Sequence, residues 1–285
     1  MSGAPSPSDV DALRSFLIAK MLLDKARNLL PWYDSSWLRS YVAAVKIIER
    51  VRPHTRAEFI EAFARLRTRP DFCVKTLDRV FDDNVMELIR ETIRALPPEL
   101  HEQHEIETFG RIVVHNHPFF NNLLKTILPL VSELAEEPLE PSYNFLSLYT
   151  RFGVCHPHMD SPAAKWTLDL CIDQSDVWPI YFSQVVPWPE TFSCDGKDWQ
   201  NVIKKSPDLK FSPYSLRPGE AVLFSGSSQW HYRDSLTNVA TGAFCNLLFF
   251  HFFPAGMSEI IRPKNWPALF GVPELAGAVG LSPLP

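Results

Sequence analysis

Between residues 142 and 253 the chain alternates short β-type runs with turn residues, and this rhythm limits its fold more than any other feature. The runs NFLSLYTRF, AKWTLDLCID, VWPIYFSQVV, YSLRPG, EAVLFSG, QWHYRD and GAFCNLLFFHFF are rich in β-branched and aromatic residues and short for helices. Many short strands broken by Pro and Gly predict a sandwich or barrel. Just upstream, GRIVVHNH (110–117) adds a further strand. A helix is expected over 119–136, with Leu123, Leu124, Ile127, Leu130 and Leu134 on a common face.

The first hundred residues have a different texture. From Asp9 to about Leu96 apolar residues recur mostly at spacings of three and four, which predicts helices. Ser35 or Ser36 caps one of them, Thr55 begins another, and a fourth runs from Val80 to Leu96 until Pro97-Pro98 ends the block. The Pro-rich stretch after residue 253 predicts an irregular tail. The expected organisation is α+β: a helical N-terminal region (1–109), a β core (110–253) and a covering tail (254–285).

A net charge of −5 with no polybasic stretch offers no footprint for nucleic acid or an anionic membrane, and no apolar run approaches the length of a membrane span. Two acids precede the apolar residues at the N-terminus, which argues against a secretory signal. The five cysteines are scattered without a CxxC pair. Reduced thiols in the cytoplasm are expected.

One constellation carries chemistry. In CHPHMD (155–160), His158 and Asp160 stand two apart, so a strand points both side chains to one face. A lone HxD is common. Its meaning grows with His231, which follows the Pro-Gly turn and apolar strand of LRPGEAVLFSG. Two histidines and a carboxylate on one face leave three octahedral positions open, the arrangement of non-haem Fe(II) oxygenases. His101/His104 lack the zincin spacing. His115/His117 meet Pro118 at once, and His251 reads as a packed or rim histidine.

The stretch YTRFGVCHPHMDSPAAKWTLDLCIDQS with SLRPGEAVLFSGSSQWHYRD and GAFCNLLFFHFF resembles the iron(II)/2-oxoglutarate-dependent oxygenases. That resemblance implies a double-stranded β-helix (jelly-roll, cupin-like) with helices packed on it. It implies His158, Asp160 and His231 as the iron ligands, with 2-oxoglutarate and O2 as co-substrates. His156, ahead of Pro157, becomes a neighbour. Asp160 stands where halogenating members carry a small residue, so halogenation is not expected.

The chain departs from the family after His231. The basic residue usually found about ten residues on, which holds the far carboxylate of 2-oxoglutarate, is missing, and Phe244 stands near its place. Lys165 is the favoured substitute, helped by the Tyr149 hydroxyl and the Asn246 amide; Arg233 is the other candidate. Arg233 and Trp166 are the expected substrate contacts. The substrate class is a small amphipathic molecule, with hydroxylation as the first expected outcome and desaturation or ring formation beside it. Alternatives are a 2-oxoglutarate-independent iron oxidase, a hydroxylase of protein side chains, and a non-catalytic jelly-roll module. Nothing in the helical N-terminal region carries chemistry, which suits it to a lid or a homodimer contact.

Overall fold

The computed structural model describes residues 35–188, 199–236 and 242–279, so the expected first helix and Cys194 lie outside the described residues. Two helices open it, α1 (Ser35–Val51) and α2 (Arg56–Ala62). Strand β1 (Lys75–Leu77) comes next, then α3 (Asp83–Arg94), the short α4 (Ile106–Phe109), β2 (Arg111–His115) and α5 (Pro118–Ala135). Strands β3 (Leu139–Tyr149), β4 (Cys155–His158), β5 (Trp166–Gln174) and β6 (Ile180–Phe182) follow. After α6 (Trp199–Lys204) come β7 (Ser212–Tyr214), β8 (Ala221–Ser225), β9 (His231–Arg233) and β10 (Cys245–Pro254). Two helical turns, α7 (Trp266–Leu269) and α8 (Ala276–Val279), close the described residues.

The strands form two antiparallel sheets. Six lie in the order β1-β8-β5-β10-β3-β2, and four in the order β4-β9-β6-β7. Alternation along the strands gives each sheet two faces. Phe145, Tyr149, Val222, Phe224, Leu247 and Phe249 of the large sheet meet Ile180 and Phe182 of the small one, so the sheets pack face to face. The opposite face of the large sheet, with Leu168, Leu170, Leu248, Phe250 and Phe252, is covered by the apolar stripe of α5 and by Met86 and Ile89 of α3. The helical periodicity over 119–136 thus becomes packing of α5 on that sheet.

Two expectations change. Residues 75–77, within the stretch expected to be helical, are an edge strand, with Thr76 opposite Val222. The three-residue VKT/KTL pattern is too short to announce itself, and it is the free edge of β8 that makes it a strand. The tail, expected to be irregular, contributes buried Trp266, Val272, Leu275 and Ala278 to a cluster with α1, α2 and Met159. Trp37 of α1 donates from Nε1 to the Ile261 carbonyl at 2.7 Å, and its ring meets those of Trp188 and Trp266 edge-on at 5.2 and 5.5 Å. Helices and tail therefore share one core, set behind the strand segment that carries His158 and Asp160.

Trp266 is fully buried in that cluster. Trp266→Ala removes a large side chain and leaves a cavity, so it should lower unfolding free energy by about 3–5 kcal/mol in urea titrations. A loss below about 1 kcal/mol would show that the tail is not part of the core.

Candidate metal centre

The site starts from a pairing of two short strands. Strand β4 is the outermost of the four-stranded sheet, so Pro157 can lie in it without costing an interior ladder bond. Its partner is β9, and their register sets His158 directly opposite His231. Backbone carbonyls then orient both rings. The Nδ1 of His158 lies 2.7 Å from the His156 carbonyl, and that of His231 lies 3.0 Å from the Gln229 carbonyl. With Nδ1–H donated to a carbonyl, each ring presents its Nε2 lone pair.

Asp160 follows the end of β4 and is fixed through β8's exit. Its backbone N–H donates to the Gly226 carbonyl at 2.8 Å. Thr167 Oγ1 on β5 lies 3.4 Å from Asp160 Oδ2. A Cβ on residue 226 would stand 2.3 Å from that same oxygen and 2.5 Å from the Ala164 carbonyl, so only glycine leaves room for the carboxylate.

The three side chains converge. Asp160 Oδ1 lies 3.4 Å from His158 Nε2 and 3.8 Å from His231 Nε2, and the two imidazole centroids are 4.1 Å apart. One donor atom from each residue falls within 4.8 Å of the others, and all three residues are buried. Cis donors around an ion with bonds near 2.1 Å stand roughly 3 Å apart, so a small contraction closes the set on a metal. Two neutral imidazoles and one carboxylate suit a divalent transition metal and leave half of an octahedron open.

Electrostatics act unequally on this donor set. Burial alone would lower His158, but Cys155 and Asp160 beside it outweigh that and hold its imidazole well above the ordinary histidine range, so a metal takes the place of its proton. Burial pushes the Asp160 carboxyl up, but His231 and His158 beside it outweigh that and hold it at about 2. Burial brings His231 down to about 4, with His158 adding to the effect. Both are therefore unprotonated at neutral pH. Cys155, whose Sγ lies 3.9 Å from His158 Nδ1, lines the same pocket.

The pocket runs inward between the sheets. Its walls are aromatic, with Phe109, Tyr143, Phe145, Phe224 and Phe249, and its polar groups include Arg111, Tyr149, Arg233 and His251. Tyr149, an expected participant, is buried there and accepts a 2.7 Å hydrogen bond on its Oη from Arg111 Nη1. Arg233 is also there. Its guanidinium is held by Asp169 Oδ2 at 2.6 Å and by the Trp178 carbonyl, and Asp169 is completely buried. Arg233 therefore lines the pocket with its guanidinium already engaged by Asp169 and the Trp178 carbonyl.

Lys165, Trp166 and Asn246 are not brought to the pocket. Lys165 closes a 3-10 turn (Pro162–Ala164) with φ −49° and ψ −45°, which breaks the alternation that would have pointed it inward with Thr167. Its Nζ lies on Glu137 and 2.8 Å from the Arg65 carbonyl, in a separate cavity of about 220 Å³. Trp166 faces the same side and donates to Glu137 Oε1 at 2.6 Å. Asn246 shares the outward face of β10 with Leu248 and Phe250, while its neighbours Cys245 and Leu247 point in.

The pocket also holds Arg111 and His251, to which the sequence assigns no ligand role. Arg111 opens β2, where alternation in GRIVVHNH sets it on one face with Val113; no motif marks it. His251 is packed as expected, but in the pocket wall, with its ring 4.2 Å from that of Tyr143. Its Nδ1 has no hydrogen-bond partner among the described residues, an orphaned polar atom that a bound ligand would satisfy.

Gly226→Ala should displace the Asp160 carboxylate and the Ala164 backbone and weaken metal binding at this site. Co(II) titration of the variant should show binding weakened at least tenfold, with a circular dichroism spectrum like that of the parent. Unchanged Co(II) affinity would mean that Asp160 is not a ligand.

No protein-family model matches the sequence, and no curated protein does. Solved structures match in fold. The non-haem α-ketoglutarate-dependent carbocyclase SnoK from nogalamycin biosynthesis superposes with a TM-score of 0.50 at 14% identity, covering 71% of this chain and 89% of its own. HygX from Streptomyces hygroscopicus, solved with nickel and 2-oxoglutarate, gives 0.47 at 14% identity over 64% and 83% of the two chains. EctD from S. alaskensis, solved with 2-oxoglutarate and 5-hydroxyectoine, gives 0.47 at 13% identity over 70% and 76%. The chain shares its fold with SnoK, and its buried His158, Asp160 and His231 cluster faces the pocket between the two sheets.

Proposed function

We propose that the chain is a non-haem Fe(II)/2-oxoglutarate-dependent oxygenase acting on a small molecule, built on a double-stranded β-helix core. The observation that carries this reading is the convergence of His158, Asp160 and His231 beside a pocket that contains a buried cation. His158 Nε2, Asp160 Oδ1 and His231 Nε2 would hold the iron. When bound, the metal supplies redox chemistry with O2 for abstraction of a substrate hydrogen, with hydroxylation as the first expected outcome.

The remaining work belongs to the chain's own residues. The carbonyls of His156 and Gln229 fix the tautomers of the two histidines. The aromatic walls exclude water and favour a partly apolar substrate. For the far carboxylate of 2-oxoglutarate, Arg111 takes the place that the sequence offered to Lys165. Its guanidinium is 4.7 Å from the ring centroid of Phe109 and 5.3 Å from that of Phe145, and it bonds Tyr149 Oη. Held flat in this way, it can present a planar fork to a carboxylate.

One observation favours a second reading, the 2-oxoglutarate-independent oxidase. Arg111 and Arg233 are each already paired with a carboxylate of the chain, Glu105 and Asp169. A substrate that delivers all the electrons itself would need neither arginine. The two readings part under anaerobic conditions. Fe(II) and 2-oxoglutarate together should give a visible charge-transfer band. Arg111→Ala should weaken 2-oxoglutarate binding about ten- to hundredfold with Fe(II) affinity unchanged, the scale of one lost hydrogen bond to a charged group. No band, with substrate-dependent O2 consumption, would replace this reading with the oxidase.

A further inference from the structure

The pocket as it stands is nearly full. Its cavity is about 30 Å³, room for a water or two. A ten-atom dicarboxylate must therefore displace something, and the two arginine pairs differ in which partner can leave. Asp169 is wholly buried on the central strand β5, so its carboxylate has nowhere to go. Glu105 stands at the rim. Its side chain is 13% exposed against 5% for Arg111, so it is the partner nearer the surface, at the N-cap of the short α4 segment outside the sheets.

The backbone around Glu105 is tied down independently of its side chain. Glu102 pairs with Val113 through two backbone hydrogen bonds of 2.9 and 3.1 Å, and the Glu105 carbonyl accepts from Phe109 N at 2.9 Å. Rotation of the glutamate side chain alone would vacate the guanidinium. Arg111 need not follow, because Tyr149 Oη, Ser147 Oγ at 3.4 Å and the flanking Phe109 and Phe145 rings still hold it.

Charge points the same way. Arg233 and Asp169 cancel. A divalent metal with Asp160 leaves one positive charge, and Arg111 without Glu105 leaves a second. Together they match a dianion. With Glu105 in place the site carries one positive charge too few, in surroundings where mismatched charge is costly.

We infer that Glu105 is an internal stand-in for the co-substrate's far carboxylate: it caps Arg111 in the closed pocket and exchanges with the incoming dicarboxylate. This rests on the 2-oxoglutarate reading above. It makes Glu105 a specificity residue as well, because only a ligand with a second carboxylate can compete for Arg111.

The test is anaerobic calorimetry on the Fe(II)-loaded protein, with 2-oxoglutarate and with 2-oxobutyrate, which keeps the chelating end and lacks the far carboxylate. Glu105→Gln should bind 2-oxoglutarate five- to twentyfold more tightly than the parent, with 2-oxobutyrate unchanged; Glu105→Ala should do the same. A merely structural ion pair would give weaker or equal binding when broken. Equal or weaker 2-oxoglutarate binding in both variants, with binding intact in the parent, overturns the exchange and leaves the 2-oxoglutarate reading standing. Absence of 2-oxoglutarate binding in all three proteins, with Fe(II) bound, overturns the reading beneath it.

Discussion

The register between β4 and β9 is the contact on which the site depends. Setting His158 opposite His231 brings two imidazoles from distant parts of the chain to a centroid separation of 4.1 Å. A slip of one residue would turn one of them to the other face of the sheet. Everything else near the two imidazoles refines that pairing. Carbonyls of His156 and Gln229 choose the tautomers, and the glycine at 226 lets Asp160 close the third corner. The helices and the tail pack on Met159, between His158 and Asp160, and so brace the strand end from behind.

The second determinant is how charge is arranged inside the pocket. Two arginines lie between the sheets, and each has a carboxylate of its own. Arg233 and Asp169 form a closed pair deep in the fold, with the Trp178 carbonyl completing the guanidinium's contacts. Breaking such a pair by removing one partner leaves a buried charge uncompensated, at a cost of about 3–5 kcal/mol, so the pair is best understood as architecture. Arg111 and Glu105 bridge the interior and the rim. That asymmetry distinguishes the second pair from the first: Glu105 lies nearer the surface, while Asp169 is enclosed on every side.

The sequence made some of this legible and hid the rest for physical reasons. His158 and Asp160 could be matched because strand periodicity fixes the face of residues two apart, and the apolar run before His231 marked its strand. The strands were visible as runs, although VWPIYFSQVV shrank to Ile180–Phe182 because only three residues find a ladder partner. Lys165 was misplaced because the same alternation was extended through a 3-10 turn, where it does not hold. Arg111 stayed hidden because its importance comes from where β2 docks beside β3, opposite Tyr149, and not from its own neighbours in sequence. The edge strand at 75–77 was lost for the same reason, since its conformation is imposed by β8.

The central claim is that His158, Asp160 and His231 together hold one iron, and X-ray absorption spectroscopy of the anaerobic Fe(II) protein tests it most directly. The account predicts one Fe(II) per chain, with two imidazole nitrogens among its nearest neighbours, the remainder being oxygen, and one imidazole fewer in His231→Ala. An iron shell without imidazole, or one that His231→Ala leaves unchanged, would contradict it.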